Sequence, residues 1–105
     1  MALTLDEANR IVRATIAKAQ ELNIRISAAV CDSGGRLIAF QRMDNAICAS
    51  VYGAQGKAVA SGGDMIMGQG AAPIIRNGIV EGACGVGGGT SQQDEECARA
   101  GVAQL

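Results

Sequence analysis

The stretch Pro73-Ile74-Ile75-Arg76-Asn77-Gly78-Ile79-Val80-Glu81-Gly82-Ala83-Cys84-Gly85-Val86 decides how the chain folds. Asn-Gly between two apolar runs predicts a hairpin with a type I′ turn, because both central positions need a positive φ and these residues tolerate it. The second strand is built from Gly, Ala and Cys, so a helix can approach it unusually closely. Gly87-Gly88-Gly89 then leads into Thr90-Ser91-Gln92-Gln93-Asp94-Glu95-Glu96. Thr90 reads as an N-cap with Gln93 at N3, and the three acids fall where the helix dipole favours negative charge. A helix is expected from there to the C-terminus, with Cys97, Ala100, Val102, Ala103 and Leu105 as its apolar positions.

Upstream, Ile24 to Asp32 and Arg36 to Met43 flank Ser33-Gly34-Gly35, a second hairpin. Ile24, Ile26, Ala28 and Val30 share one face of its first strand. Ala29 and Cys31 on the other face are also small and apolar, which places that strand centrally in the sheet. Thr4-Leu5-Asp6-Glu7 is a capping box that starts a helix. Leu5, Ala8, Ile11, Val12, Ile16, Ala19 and Leu22 recur at helical spacing, and the helix ends near Asn23. Between the hairpins, Ala46 to Ser61 suits another helix, in which Gly53 and Gly56 each cost about 1 kcal/mol relative to Ala. Ser61 to Ala72, glycine-rich around Met65-Ile66-Met67, reads as a loop of the kind that carries function. The expectation is a single α+β domain over residues 1–105, in the order α-β-β-α-β-β-α, with an antiparallel sheet built from two hairpins and helices packed on it.

Composition narrows the function. The 105 residues carry nine basic and ten acidic side chains, a net charge of −1, and 49% are apolar. Such a balance gives no field for nucleic acid or an anionic membrane surface, and one Phe with one Tyr makes no stacking platform. With no histidine, a Ser-His-Asp or Cys-His centre and a His-ligated zinc or haem cannot be made within the chain. Cys31, Cys48, Cys84 and Cys97 form no Cys-x-x-Cys pair and no zinc-ligand spacing, and read as free thiols of a cytoplasmic protein.

Three groups of residues are candidates for binding. Arg42, Asp44 and Lys57 lie at a strand end and on the next helix, where two cations can grip a carboxylate or a haem propionate while Asp44 orients one of them. The structural alternative has Asp44 capping the helix near Ala46 and Arg42 pairing with it. Gly88, Gly89 and Thr90 can cradle an anion on free N–H groups, although the neighbouring acids use the same field and a plain strand-to-helix turn is the alternative. Tyr52, Met43, Met65 and Met67 are conceivable haem ligands or contacts, with core or loop filling as the alternative. Cys48 sits near a helix start, where a thiolate is favoured, but has no histidine base beside it.

Taken in order, Leu3-Thr4-Leu5-x-x-Ala8, Ala29-Val30-Cys31-Asp32-Ser33-Gly34-Gly35, Phe40-x-Arg42-Met43-Asp44, Ala54-x-x-Lys57-Ala58, Gly70-Ala71-Ala72-Pro73-Ile74-Ile75 and Gly82-x-x-Gly85-Val86-x-Gly88-Gly89-Thr90 resemble the GlcG/HbpS-like, or haem-degrading, family, which includes the C-terminal domain of PduO-type proteins. The resemblance implies a profilin-like fold, homo-oligomers and, in some members, haem binding. It therefore implies a small-ligand-binding or accessory protein associated with small-metabolite catabolism, with haem or another tetrapyrrole as ligand. The competing expectations are an enzyme acting on a small hydroxy or carbonyl acid, held by Arg42 and Lys57, and a scaffold subunit. Two departures stand out: the connection from Ser61 to Ala72 is shorter than the family's, and no histidine is present for iron.

Overall fold

The computed structural model describes residues 2–61 and 70–105; Met65 and Met67, in the glycine-rich stretch expected to be a loop, lie outside them. Seven elements follow in the expected order: α1 (Leu5–Glu21), β1 (Ser27–Asp32), β2 (Leu37–Arg42), α2 (Ala49–Ser61), β3 (Ala71–Arg76), β4 (Ile79–Gly87) and α3 (Ser91–Val102). The strands form one antiparallel sheet in the order β2-β1-β4-β3. Each hairpin thus gives an edge strand and a central strand, and β1 meets β4 from Ser27↔Gly87 to Asp32↔Gly82.

Local chemistry explains the turns. Asn77 and Gly78 take φ of 53° and 77°, as a type I′ turn requires. In the other hairpin, Asp32 Oδ1 accepts the N–H groups of Gly34 at 2.9 Å and Arg36 at 3.0 Å, and Gly35 supplies the positive φ. Both expected capping boxes form, Thr4 with Glu7 and Thr90 with Gln93. Asn23, in the left-handed region at φ 57°, follows the end of α1. Asn45, at φ 66°, turns the chain after β2, and α2 begins only at Ala49. Asp44 therefore stands too far back to cap α2, and no ion pair joins it to Arg42 among the described residues.

The sheet is covered on both faces. Ala8, Ile11, Val12 and Ala19 of α1 and Cys97 and Ala98 of α3 pack on Ile26, Ala28, Val30, Ile74, Cys84 and Val86. On the opposite face, Ala54 and Ala58 of α2 pack on Ala29, Cys31 and Phe40. Two helical faces differ from the apolar pattern. Leu5 is 60% exposed at the first turn of α1, whereas Thr15 is fully buried; its hydroxyl donates to Ile11 O at 2.7 Å, which removes the cost of burying it. In α3 the buried positions are Asp94, Cys97, Ala98 and Gly101, not Ala100 and Leu105, because Gly101 lies where α1 crosses: a Cβ there would stand 2.8 Å from Ile11 O. Burial pushes the Cys84 thiol up to about 12 and that of Cys97 up to about 11, so both act as small apolar groups.

α2 lies against the bare backbone of β4. A Cβ at Gly87 would lie 2.6 Å from Ser50 O, and one at Gly85 would overlap the backbone of Ala54 and Ala58. Gly56, also in α2, has nothing within 4 Å of its Cβ direction. Urea unfolding should therefore show opposite signs: Gly85→Ala destabilises by about 1–3 kcal/mol through overpacking, whereas Gly56→Ala stabilises by about 0.5–1 kcal/mol through helix propensity.

An ion triad ties α1 to the β3–β4 hairpin. The Arg76 guanidinium bonds Glu7 of α1 and Glu81 of β4. Glu81 is the extra residue of a bulge, since Ile74 faces Gly82 and Ile75 faces Val80, and a bulge re-aims a side chain. The Arg76 hydrogen bonds, with the Thr4 N–H, hold the Glu7 carboxyl at about 2 against an ordinary 4.5. A lowered folded-state value stabilises above the ordinary value and is lost as the pH falls from about 4.5 to 2. Denaturation followed across that window should show Glu7→Gln, which keeps a capping oxygen, losing less stability on acidification than the wild type.

Candidate functional site

The α1–β1 connection and the exit of β2 lie side by side because β1 and β2 are antiparallel, with Ser27 opposite Arg42. Met43 N donates to Ile26 O at 2.9 Å and Ile26 N donates to Met43 Sδ at 3.4 Å, locking the two segments together. Over them stands the second half of α1. The result is an open cleft of about 550 Å³ lined by Ile16, Gln20, Arg25, Gln41, Arg42, Met43, Asp44 and Asn45. Arg25 and Arg42 are exposed, and among the described residues neither is in an ion pair. Two guanidinium forks against one carboxylate leave the cleft with a formal charge of +1, suited to a ligand with carboxylate or phosphate groups. Arg42 and Asp44 thus share a site with Arg25, which the sequence reading missed. The signal was available in the hairpin register: counting back from the Ser33-Gly34-Gly35 turn sets Arg25 beside the Arg42–Asp44 end.

Lys57 is elsewhere. It reaches from α2 to the far end of β4, where Nζ donates to Val86 O at 2.9 Å and Asp94 Oδ2 at 3.1 Å. Asp94 is only 2% exposed, and its Oδ1 accepts the Gly89 N–H at 2.9 Å. Thr90 N donates to Gln93 Oε1 at 3.0 Å, and Gln93 N donates to Thr90 Oγ1 at 3.2 Å. The Gly88-Gly89-Thr90 turn therefore already holds an anion of its own, the Asp94 carboxylate, at the positive end of α3. Gly88 has φ 122°, and a Cβ there would meet Arg25 O at 2.5 Å. Neutralising Asp94 removes an acceptor from a buried charge-assisted bond. Asp94→Asn should lower stability by about 1–3 kcal/mol in thermal unfolding, whereas the exposed Glu96→Gln should change it by less than about 1 kcal/mol.

Tyr52 is 78% exposed on α2, which packs on the sheet face opposite α1, and it does not line the cleft. Cys48 is exposed just before α2, and Cys31, Cys84 and Cys97 are buried. A second concavity of about 470 Å³ is lined by Leu3, Ile38, Ile79 and Val80 with Asp32, Arg36 and Glu81. Its charges are already paired, Arg36 with Asp32 and Glu81 with Arg76. No group of three or more metal-ligating side chains occurs among the described residues, and none of their helices is long and apolar enough to cross a membrane.

The family model described as haem degrading protein HbpS-like matches residues 3–63 and 57–103. The chain belongs to the HbpS-like family. It is 31% identical, over 122 aligned positions covering 88% of this chain and 84% of the relative, to an uncharacterised 15.0 kDa protein of Citrobacter freundii encoded in a dhaT–dhaS intergenic region. Those 122 positions exceed the 105 residues of this HbpS-like chain, so the relative carries internal residues that it lacks. The two matched segments meet at 57–63, in keeping with a shortened connection between α2 and β3. The crystal structure of a double mutant of Streptomyces reticuli HbpS is similar at a TM-score of 0.91 and 26% identity, over 100% of this chain and 88% of that one. A PduOC–haem complex shares the fold at a TM-score of 0.89 and 22% identity, over 100% and 96% of the two chains.

Haem makes two demands: cations for its propionates and an axial donor for its iron. Arg25 and Arg42 fit the first. The second is not met among the described residues of the cleft, where Met43 supplies the only sulfur and that sulfur already accepts the Ile26 N–H.

Proposed function

We propose that this HbpS-like protein is an accessory protein that binds a carboxylate-bearing tetrapyrrole in the Arg25/Arg42 cleft. The observation that carries the reading is the presence of these two guanidiniums, outside any described ion pair, in one open cleft beside the apolar surface of Ile16 and Met43. Kinship with a fold that holds haem in the PduOC complex supports a tetrapyrrole over other carboxylates. The reading includes a homo-oligomer, in which exposed Leu37, Ile47 and Ile79 would be covered, and a place in the reducing cytoplasm, which suits four free thiols. Asp44 in the same cleft favours a second reading, in which a small hydroxy or carbonyl acid is held by the arginines and Asp44 accepts a proton.

Titration of the purified protein with haemin, followed at the Soret band with light scattering on the same sample, tests the first reading. A saturable change at a fixed ratio per subunit of an oligomer is expected. Arg25→Ala and Arg42→Ala should each weaken it by about tenfold, the value of one charge-assisted contact. A featureless, non-saturating response overturns it. Turnover of small hydroxy acids that disappears in Asp44→Asn would then favour the second reading.

A further inference from the structure

Resting on the reading of the cleft as a tetrapyrrole site, we propose that it recognises the ligand's carboxylates and not its metal, so that a metal-free porphyrin dicarboxylate binds as well as haem does. Protein donors to haem iron are imidazole, thiolate, phenolate and thioether. The chain has no histidine, so a second copy in a homo-oligomer brings none either. Cys31, Cys84 and Cys97 are enclosed in the core, and Cys48 and Tyr52 lie outside the cleft. Met43 is half-buried, packs against the α1-side core and spends its sulfur on the Ile26 N–H; withdrawing it would free a backbone donor at the start of the β1–β2 ladder. What remains in the cleft among the described residues is oxygen, from Asp44, Asn45 and the two glutamines, donors that suit hard divalent cations better than porphyrin iron. The carboxylate end is the reverse case: Arg25 and Arg42 present planar forks that match carboxylate geometry. Binding energy therefore comes from the propionates and the apolar ring face, both of which are the same with and without iron.

The test titrates the full chain with haemin, protoporphyrin IX and protoporphyrin IX dimethyl ester, by Soret absorbance and porphyrin fluorescence. Haemin and protoporphyrin IX are expected to bind within about threefold of each other, the ester about tenfold or more weaker, and Arg25→Ala/Arg42→Ala is expected to weaken both diacids in parallel. Haemin binding about tenfold or more tighter than protoporphyrin IX, or a ferric spectrum that changes in Met43→Leu, would overturn the proposal by revealing a metal ligand, including one from Met65 or Met67. An ester that binds as well as the diacid would overturn it too. Failure of all three porphyrins to bind saturably would instead remove the tetrapyrrole reading on which it rests.

Discussion

The approach of α2 to β4 is the constraint on which the rest of the structure depends. Gly85 and Gly87 present bare backbone to α2, so helix and strand meet without intervening side chains on that face. The opposite face of the same strand carries Cys84 and Val86 into the core under α1 and α3. β4 is thus the strand through which both helical layers are tied, and it pairs on one edge with β3 and on the other with β1. The same closeness brings Lys57 within reach of Val86 O and Asp94, linking α2 to the start of α3. A bulkier β4 would lift α2 from the sheet and pull that ion pair apart.

Features encoded by neighbours in the chain were legible in the sequence. Thr4 with Glu7, Thr90 with Gln93, and Asn77 with Gly78 each specify a local hydrogen-bond or dihedral problem together with its solution. The central place of β1 was legible too, because Ala29 and Cys31 make its second face apolar. The strand order was not: nothing in a period of two says that β1 pairs with β4, and only the closed sheet decides it. The end of β2 misled for a related reason. Asn45 enters the left-handed region, and Ile47 and Cys48 precede α2 in a turn, so the helix starts at Ala49, three residues beyond the apparent start of its Ala-rich pattern.

The candidate site was half legible. Arg42 and Asp44 came from their position at a strand end, and Arg25 could have been added by counting the hairpin register. Lys57 was grouped with them because it lies on the next helix. Which way a helix turns its polar side chains depends on the element it packs against, and here that element is β4, at the sheet's centre, not β2 at its edge. Asp94 shows the same limit: three consecutive acids look equivalent at a helix start, yet only the one facing Lys57 and the Gly89 N–H is buried.

The two charged regions accordingly differ in kind. Lys57 and Asp94 join three elements around a buried carboxylate, with the glycine-turn amides already turned inward onto protein oxygen. Arg25 and Arg42 belong to segments fixed by backbone bonds, Met43 N to Ile26 O and the Ser27↔Arg42 pair, so their guanidiniums are not required for the fold. Charges that the scaffold does not need, on backbone that the scaffold holds still, can accept an anionic ligand without the structure giving anything up. That separation of duties, and not any single residue type, is what distinguishes the Arg25/Arg42 cleft from the Lys57–Asp94 junction.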